Sequence, residues 1–107
     1  MKVLIVEPNQ EPREAEIDNN LKSLQEVVGG YIETVRLITP NIVLICNENG
    51  KLTRLKPNRL VGNDIIAGTF FIAGDVGEEF TDLTDKQILL FKAVFALPGQ
   101  NKSPARC

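Results

Sequence analysis

"YIETVRLITPNIVLIC", Tyr31 to Cys46, sets two strand-like runs on either side of Thr39-Pro40-Asn41. Proline and asparagine favour a turn, so "YIETVRLI" (Tyr31 to Ile38) and "IVLIC" (Ile42 to Cys46) read as an antiparallel hairpin. The second run is apolar at every position, which suits a central strand covered on both faces. A covered sheet is therefore the frame on which the rest of the chain is placed.

Upstream, "KVLIVE" (Lys2 to Glu7) is another continuous apolar run, closed by Pro8. The loop "PNQEP" turns the chain, and "REAEI" alternates enough to pair back as a short strand. From Asp18 the period changes. "DNNLKSLQEVVGG" spaces Leu21, Leu24, Val27 and Val28 for a helix of about three turns, with Asp or Asn to cap its start and Gly29-Gly30 to end it. Downstream, "KLTRL" after the turn "NENG" reads as a shorter strand, and "TFFIAG" (Thr69 to Gly74) as the last one. "GDVGEEFTDL" reads as a loop. Thr84 with Gln87 three residues later is a capping-box signature for a final helix. The fold class expected is α+β, a small, mostly antiparallel sheet of about five strands with two helices in the order β(β)αββββα.

With 107 residues, of which 43% are hydrophobic and 24% charged, the chain has the size and composition of one globular domain. That domain is expected over 1–97, with a flexible tail at 98–107. No apolar run reaches the ~18 residues of a membrane span, and Met1-Lys2 leads straight into a strand-like run. The cytoplasm is the expected compartment. Cys46, inside an apolar run, and Cys107, the last residue, are expected as free thiols.

Between Ile88 and Leu97 the only polar residue is Lys92. Such a helix is too apolar for one buried face on a small domain. It lies either in a deep groove of its own domain or against another copy, and the homo-oligomer contact is expected there.

The residue types present limit the chemistry. There is no histidine, so the commonest general base and metal ligand are missing, and no Cys-x-x-Cys spacing offers a zinc site. Neither glycine fingerprint for cradling phosphates occurs. Glu78, Glu79, Asp82 and Asp85 cluster before the last helix, where acids complement the helix dipole; their spacing lacks the glycine and alternating ligands of a calcium loop. No cofactor and no metal are expected, nor an enzyme. A net charge of −2 argues against a protein that holds nucleic acid chiefly through phosphates.

"KLTRLKPNRLVGN" is the exception to the acidic balance. Lys51, Arg54, Lys56 and Arg59 crowd together, and no acid occurs between Lys51 and Asn63. The plainer reading is a solvated edge strand guarded by its cations. The functional reading is an anion site in which Arg59, on a rigid Pro57-Asn58 turn, offers a bidentate fork. Asn58 is equally suited to an Asx-turn, and Asp64 to a pair with Arg59. After Asp64, "DIIAGTFF" reads as architecture, with Ile65, Ile66, Phe70 and Phe71 feeding the core and Gly68 permitting a bend or bulge.

Two passages, "EIDNNLKSLQEVVGGYIE" and "GKLTRLKPNRLVGNDIIAGTFFIAGD", resemble a family of small uncharacterised proteins carried by phages, plasmids and conjugative elements of bacteria. The resemblance covers roughly Val3 to Ile88. Its marks are Ile17, Leu21, Leu24, Gln25, Gly29-Gly30-Tyr31-Ile32-Glu33, Asn47 with Gly50, Pro57-Asn58-Arg59, Asp64-Ile65-Ile66, Gly68 and Phe70-Phe71. It implies a context rather than an activity: small proteins of mobile elements often blunt host defence by soaking up a nucleotide signal or by binding a defence protein.

The expected function is accordingly a non-enzymatic, homo-oligomeric protein that sequesters a small anionic, nucleotide-type ligand. Arg59 and Lys51 would meet phosphates, Asn47 and Asn58 would bond a base or ribose, and Tyr31 would stack. The alternative is a protein-binding inhibitor of a host defence enzyme. A third reading, a carboxylate-and-arginine phosphodiesterase, requires Glu7 or Asp64 to converge on Arg59.

Overall fold

The computed structural model describes residues 1–97, so the tail expected at 98–107, with Cys107, lies outside the described residues. The elements are β1 (Lys2–Val6), β2 (Arg13–Glu16), α1 (Leu21–Val28), β3 (Ile32–Arg36), β4 (Ile42–Asn47), β5 (Pro57–Val61), β6 (Asp64–Ala67), β7 (Phe70–Val76), β8 (Glu79–Thr81) and α2 (Asp85–Val94). The α+β class holds: two helices accompany a six-stranded sheet in which every pair is antiparallel.

The order across the sheet is β2-β1-β7-β4-β3. β7 is long enough to share one of its edges: β1 pairs with Phe70 to Ile72, and β8 with Gly74 to Val76. Its other edge carries β4, and β3 returns beside β4 as the hairpin reading requires.

Strand periodicity sorts the core into two layers. Leu4, Val6, Ile42, Leu44, Cys46, Phe70 and Ile72 point to one face, where Ile66, Leu83 and the α2 residues Ile88, Phe91 and Phe95 cover them. Val3, Ile5, Val43, Ile45, Phe71 and Ala73 point to the other, under Leu24 and Val28 of α1. Each of the larger side chains so buried contributes roughly 1.5–3 kcal/mol. Phe95 also meets Phe70 edge-on at 5.3 Å between ring centroids, which fixes where α2 ends on the sheet.

α1 starts and stops at the caps its sequence predicts, and α2 starts at its predicted cap but ends at Val94, short of Leu97. The Asn20 side chain accepts the Ser23 N–H at 2.8 Å, and the Gly29 N–H returns to the Gln25 carbonyl. With eight residues, however, α1 makes about two turns and not three. Thr84 and Gln87 form a reciprocal capping box at the start of α2.

Three local expectations are corrected. "KLTRL" is not a strand: from Asn47 to Leu55 the backbone bonds to itself in consecutive turns, including Thr53 N–H to Asn49 O and Leu55 N–H to Gly50 O. Those groups are satisfied locally and need no ladder. The strand begins later, at Pro57, and pairs with β6 through Gly62-Asn63, a two-residue loop whose first glycine has the positive φ of +61° that such a tight hairpin needs. Of the loop expected at "GDVGEEFTDL", Gly74 to Val76 continue β7, and Gly77-Glu78, both with positive φ, make a second tight hairpin that delivers β8.

The register shift lies between Pro57 and Arg59. Gly68, at φ +84°, makes the bend between β6 and β7. Ile66, Phe70 and Phe71 enter the core, whereas Ile65 stays about half exposed beside its partner Leu60.

Candidate functional site

The structure separates the five candidate residues into three places. Arg59 and Asn58 form a buried knot. Arg59 sits in β5, not in a turn, and is only 8% exposed. Its Nε donates to the Phe95 carbonyl at 2.9 Å, one terminal nitrogen to the Gln10 carbonyl at 2.6 Å, and the other to the Asn58 side-chain oxygen at 2.8 Å. The Asn58 amide in turn donates to Val6 O and Gly68 O, both at 2.8 Å, so Asn58 bridges strands and does not close an Asx-turn.

A guanidinium that donates to three separate chain segments is spent on architecture. Burial pulls the Arg59 pKa down from its usual value, and the Glu11 carboxylate works against that. Glu11 also accepts the Leu97 N–H at 3.2 Å, so arginine and glutamate together hold the end of α2 against the β1–β2 loop. The carboxylates expected beside Arg59 are engaged elsewhere. Glu7 pairs with Arg13 at 3.4 Å, and Asp64 pairs with Lys51.

Lys51 and Asn47 share a cavity of about 190 Å³ between the Asn47–Leu55 turns and β6. Arg59, Asn58 and Tyr31 do not line it. Three carboxylates do, Glu33, Glu48 and Asp64, against the one ammonium of Lys51. Lys51 bonds Asp64 and holds its carboxyl below the usual carboxylate range, with the Ile65 N–H contributing less. Asn47 is also committed: its amide donates to Val28 O at 3.1 Å, tying the end of α1 to the sheet, and its oxygen accepts the Asn49 N–H. The segment that looked basic in the sequence thus faces an acid-rich hollow. Cys46 lies at its floor, and burial pushes the thiol pKa up to about 11, which keeps it protonated and unreactive at neutral pH.

Tyr31 is 68% exposed, just before β3. Of the acids ahead of α2, Asp82 accepts the Lys2 backbone N–H and Asp85 the Lys2 ammonium, whose pKa is raised chiefly by that hydrogen bond. They anchor the helix start to β1.

The largest concave surface among those described lies elsewhere. A groove of about 330 Å³ runs between α2, the β3–β4 turn and the β5–β6 hairpin, walled by Ile38, Leu60, Val61, Phe91, Val94 and Phe95. Its rim carries one cation, Arg36, already paired with Asp75 at 3.1 Å. Next to the groove, α2 exposes Leu89 (72%), Leu90 (49%) and Val94 (56%). The helix therefore does not lie in a deep groove of its own domain: one face packs on the sheet and an apolar face remains outside. Ile38 and Leu60 were not singled out in the sequence. The alternation of "NRLV", which turns Leu60 outward when Arg59 turns in, was the signal available for Leu60.

No helix among the described residues is long and apolar enough to cross a membrane. No curated protein and no solved structure matches the chain. A family model does match, described as a domain of unknown function (DUF3846); it covers residues 1–96, β1 through the end of α2, and the chain belongs to that family.

Proposed function

We propose that this chain is a non-enzymatic binding protein of a phage or other mobile element, and that it works through the apolar groove and the outer face of α2. The observation that carries the proposal is the exposure of Leu89, Leu90 and Val94 beside that groove. Apolar patches of this kind mark protein interfaces, and burying them in a partner is favourable at roughly 25 cal/mol per Å². A protein partner fits this surface better than an anion, because the groove walls are mostly apolar and their one cation, Arg36, is paired with Asp75. In a counter-defence role the partner is a host enzyme that the chain inhibits.

The test is capture of purified host defence enzymes by immobilised wild-type chain and by Leu89→Asp. Binding by the wild type and loss in the variant supports the proposal. Equal binding by both removes α2 from it.

A second reading keeps the small nucleotide-type ligand, supported by the hollow that Lys51 and Asn47 share. It predicts thermal stabilisation by one member of a nucleotide panel, about 2.7 kcal/mol at a hundredfold excess over Kd, abolished by Lys51→Ala. The three carboxylates around that hollow oppose it.

A further inference from the structure

We infer that the occupant of the groove is a second copy of this chain, the two related by a two-fold axis so that the α2 ridge of each lies in the groove of the other. The inference rests on the proposal that the groove and the outer face of α2 form an interface: a second copy covers that surface in the free protein, and a host enzyme takes its place on binding.

The ridge follows from helix geometry. At about 100° per residue, Leu89, Leu90, Ala93 and Val94 project on the side opposite the buried Ile88, Phe91 and Phe95, with the exposed Lys86 on the same side one turn earlier. Groove and ridge are neighbours on one surface, with Val94 belonging to both. A surface that carries a convex and a concave apolar element side by side is self-complementary, as a closed two-fold contact requires. The groove's 330 Å³ is about twice the ~150 Å³ apolar cavity that holds one benzene ring, enough for two aliphatic side chains such as Leu89 and Leu90 of the other copy.

The area is sufficient. An aliphatic side chain offers on the order of 100 Å² of apolar surface, so Leu89, Leu90, Val94, Leu60 and Ile38 at their exposures present about 350 Å² before the half-buried groove walls are added. A standard interface buries ~800 Å² per partner, about 65% of it apolar in homodimers. The patch supplies most of that apolar share. The sequence "PGQNKSPARC" offers no large aliphatic or aromatic side chain to fill an apolar groove. Arg36 is paired with Asp75, which lessens the repulsion between the groove rim and the Lys86 at the start of another copy's ridge.

The test is the solution mass of the full chain by light scattering over a concentration series, with charge variants at both elements. Wild type is expected at twice the 11.8 kDa chain mass. Leu90→Lys on the ridge and Leu60→Glu in the groove are each expected to run as monomers with unchanged far-ultraviolet circular dichroism. Mixing the two variants is expected to restore a dimer, since one ridge then meets a groove of opposite charge while the second ridge and groove are both wild type. Should Leu60→Glu unfold, Ile38→Glu takes its place.

A wild-type chain that stays monomeric up to ~200 μM overturns the inference, as does a dimer that both substitutions leave intact. Monomeric single variants that fail to recombine overturn the reciprocal ridge-in-groove arrangement. If wild type is monomeric yet binds a host enzyme that Leu90→Lys does not, the second copy is wrong and the proposed function stands. If wild type is a dimer and no host enzyme binds even to monomeric variants with an intact groove, the host partner is wrong and the dimer stands.

Discussion

Arg59 and the outer face of α2 meet at the same end of the molecule and have opposite characters. Around Arg59 each guanidinium nitrogen has found an acceptor, drawn from the β1–β2 loop, β5 and the residue that caps α2. Within two turns of helix, Leu89, Leu90 and Val94 are half to three-quarters exposed. The residue type that suggests recognition is thus consumed in folding, while the residue type that suggests a core is left outside. Polarity in a sequence marks a group that needs partners. It does not say whether those partners belong to the same chain.

The sharpest way to break this contrast is to compare the two faces of α2. Phe91→Ala removes a buried ring that stacks on Phe95 and should cost about 3–5 kcal/mol in urea unfolding. Leu90→Ala, the adjacent residue on the outer face, should stay within about 0.5 kcal/mol when measured at concentrations that keep the chain monomeric. Similar losses at both positions would mean that α2 is buried all round.

Next in size is the knot itself. Arg59→Met leaves the Gln10 and Phe95 carbonyls and the Asn58 oxygen short of a donor, and should destabilise by about 2–4 kcal/mol; Asn58→Ala should cost about 2–3 kcal/mol. The two losses should be less than additive, because the residues share a hydrogen bond. An Arg59→Met variant as stable as wild type would return Arg59 to the list of free groups.

A smaller effect concerns alkaline pH. The folded Cys46 thiol, with its pKa raised to about 11, holds its proton at pH values where an unfolded thiol, at ~8.5, has lost it. The unfolded state therefore binds fewer protons in that window, so stability falls as pH rises from ~8.5 towards 11. Cys46→Ala should flatten this part of the melting temperature against pH curve while lowering stability at neutral pH.

The smallest effect is the Lys51–Asp64 pair on the surface. The Asp64 pKa is depressed, so its stabilisation is present above the unfolded value of ~4 and is lost as pH falls through the lower folded one. Lys51→Ala should leave neutral-pH stability almost unchanged and weaken only the acid limb, read as melting temperature against pH.

How much was legible depended on how local the cause was. The Tyr31 to Cys46 hairpin, the β1–β2 pairing and the caps of both helices are written in short-range patterns, and all appear in the structure. The β5–β6 and β7–β8 hairpins were also encoded, in Gly62-Asn63 and Gly77-Glu78, but basic and acidic residues around them looked like solvated loops. At the candidate site, the sequence brought Asn58 and Arg59 forward without indicating what they touch. Their acceptors, Val6, Gln10, Gly68 and Phe95, lie 10 to 52 positions away along the chain from the residue that bonds them.

The sequence by itself determined an α+β chain with a doubly covered sheet, a capped helix on each side of the central strands, and a final helix with more apolar residues than one face can bury. Those are consequences of period, caps and composition, which act over a few residues. Only the tertiary structure decided which polar groups are used up and which apolar ones remain. Burial and hydrogen-bond satisfaction depend on what the rest of the chain places around a side chain, and there Arg59 found carbonyls while Leu89 and Leu90 found solvent.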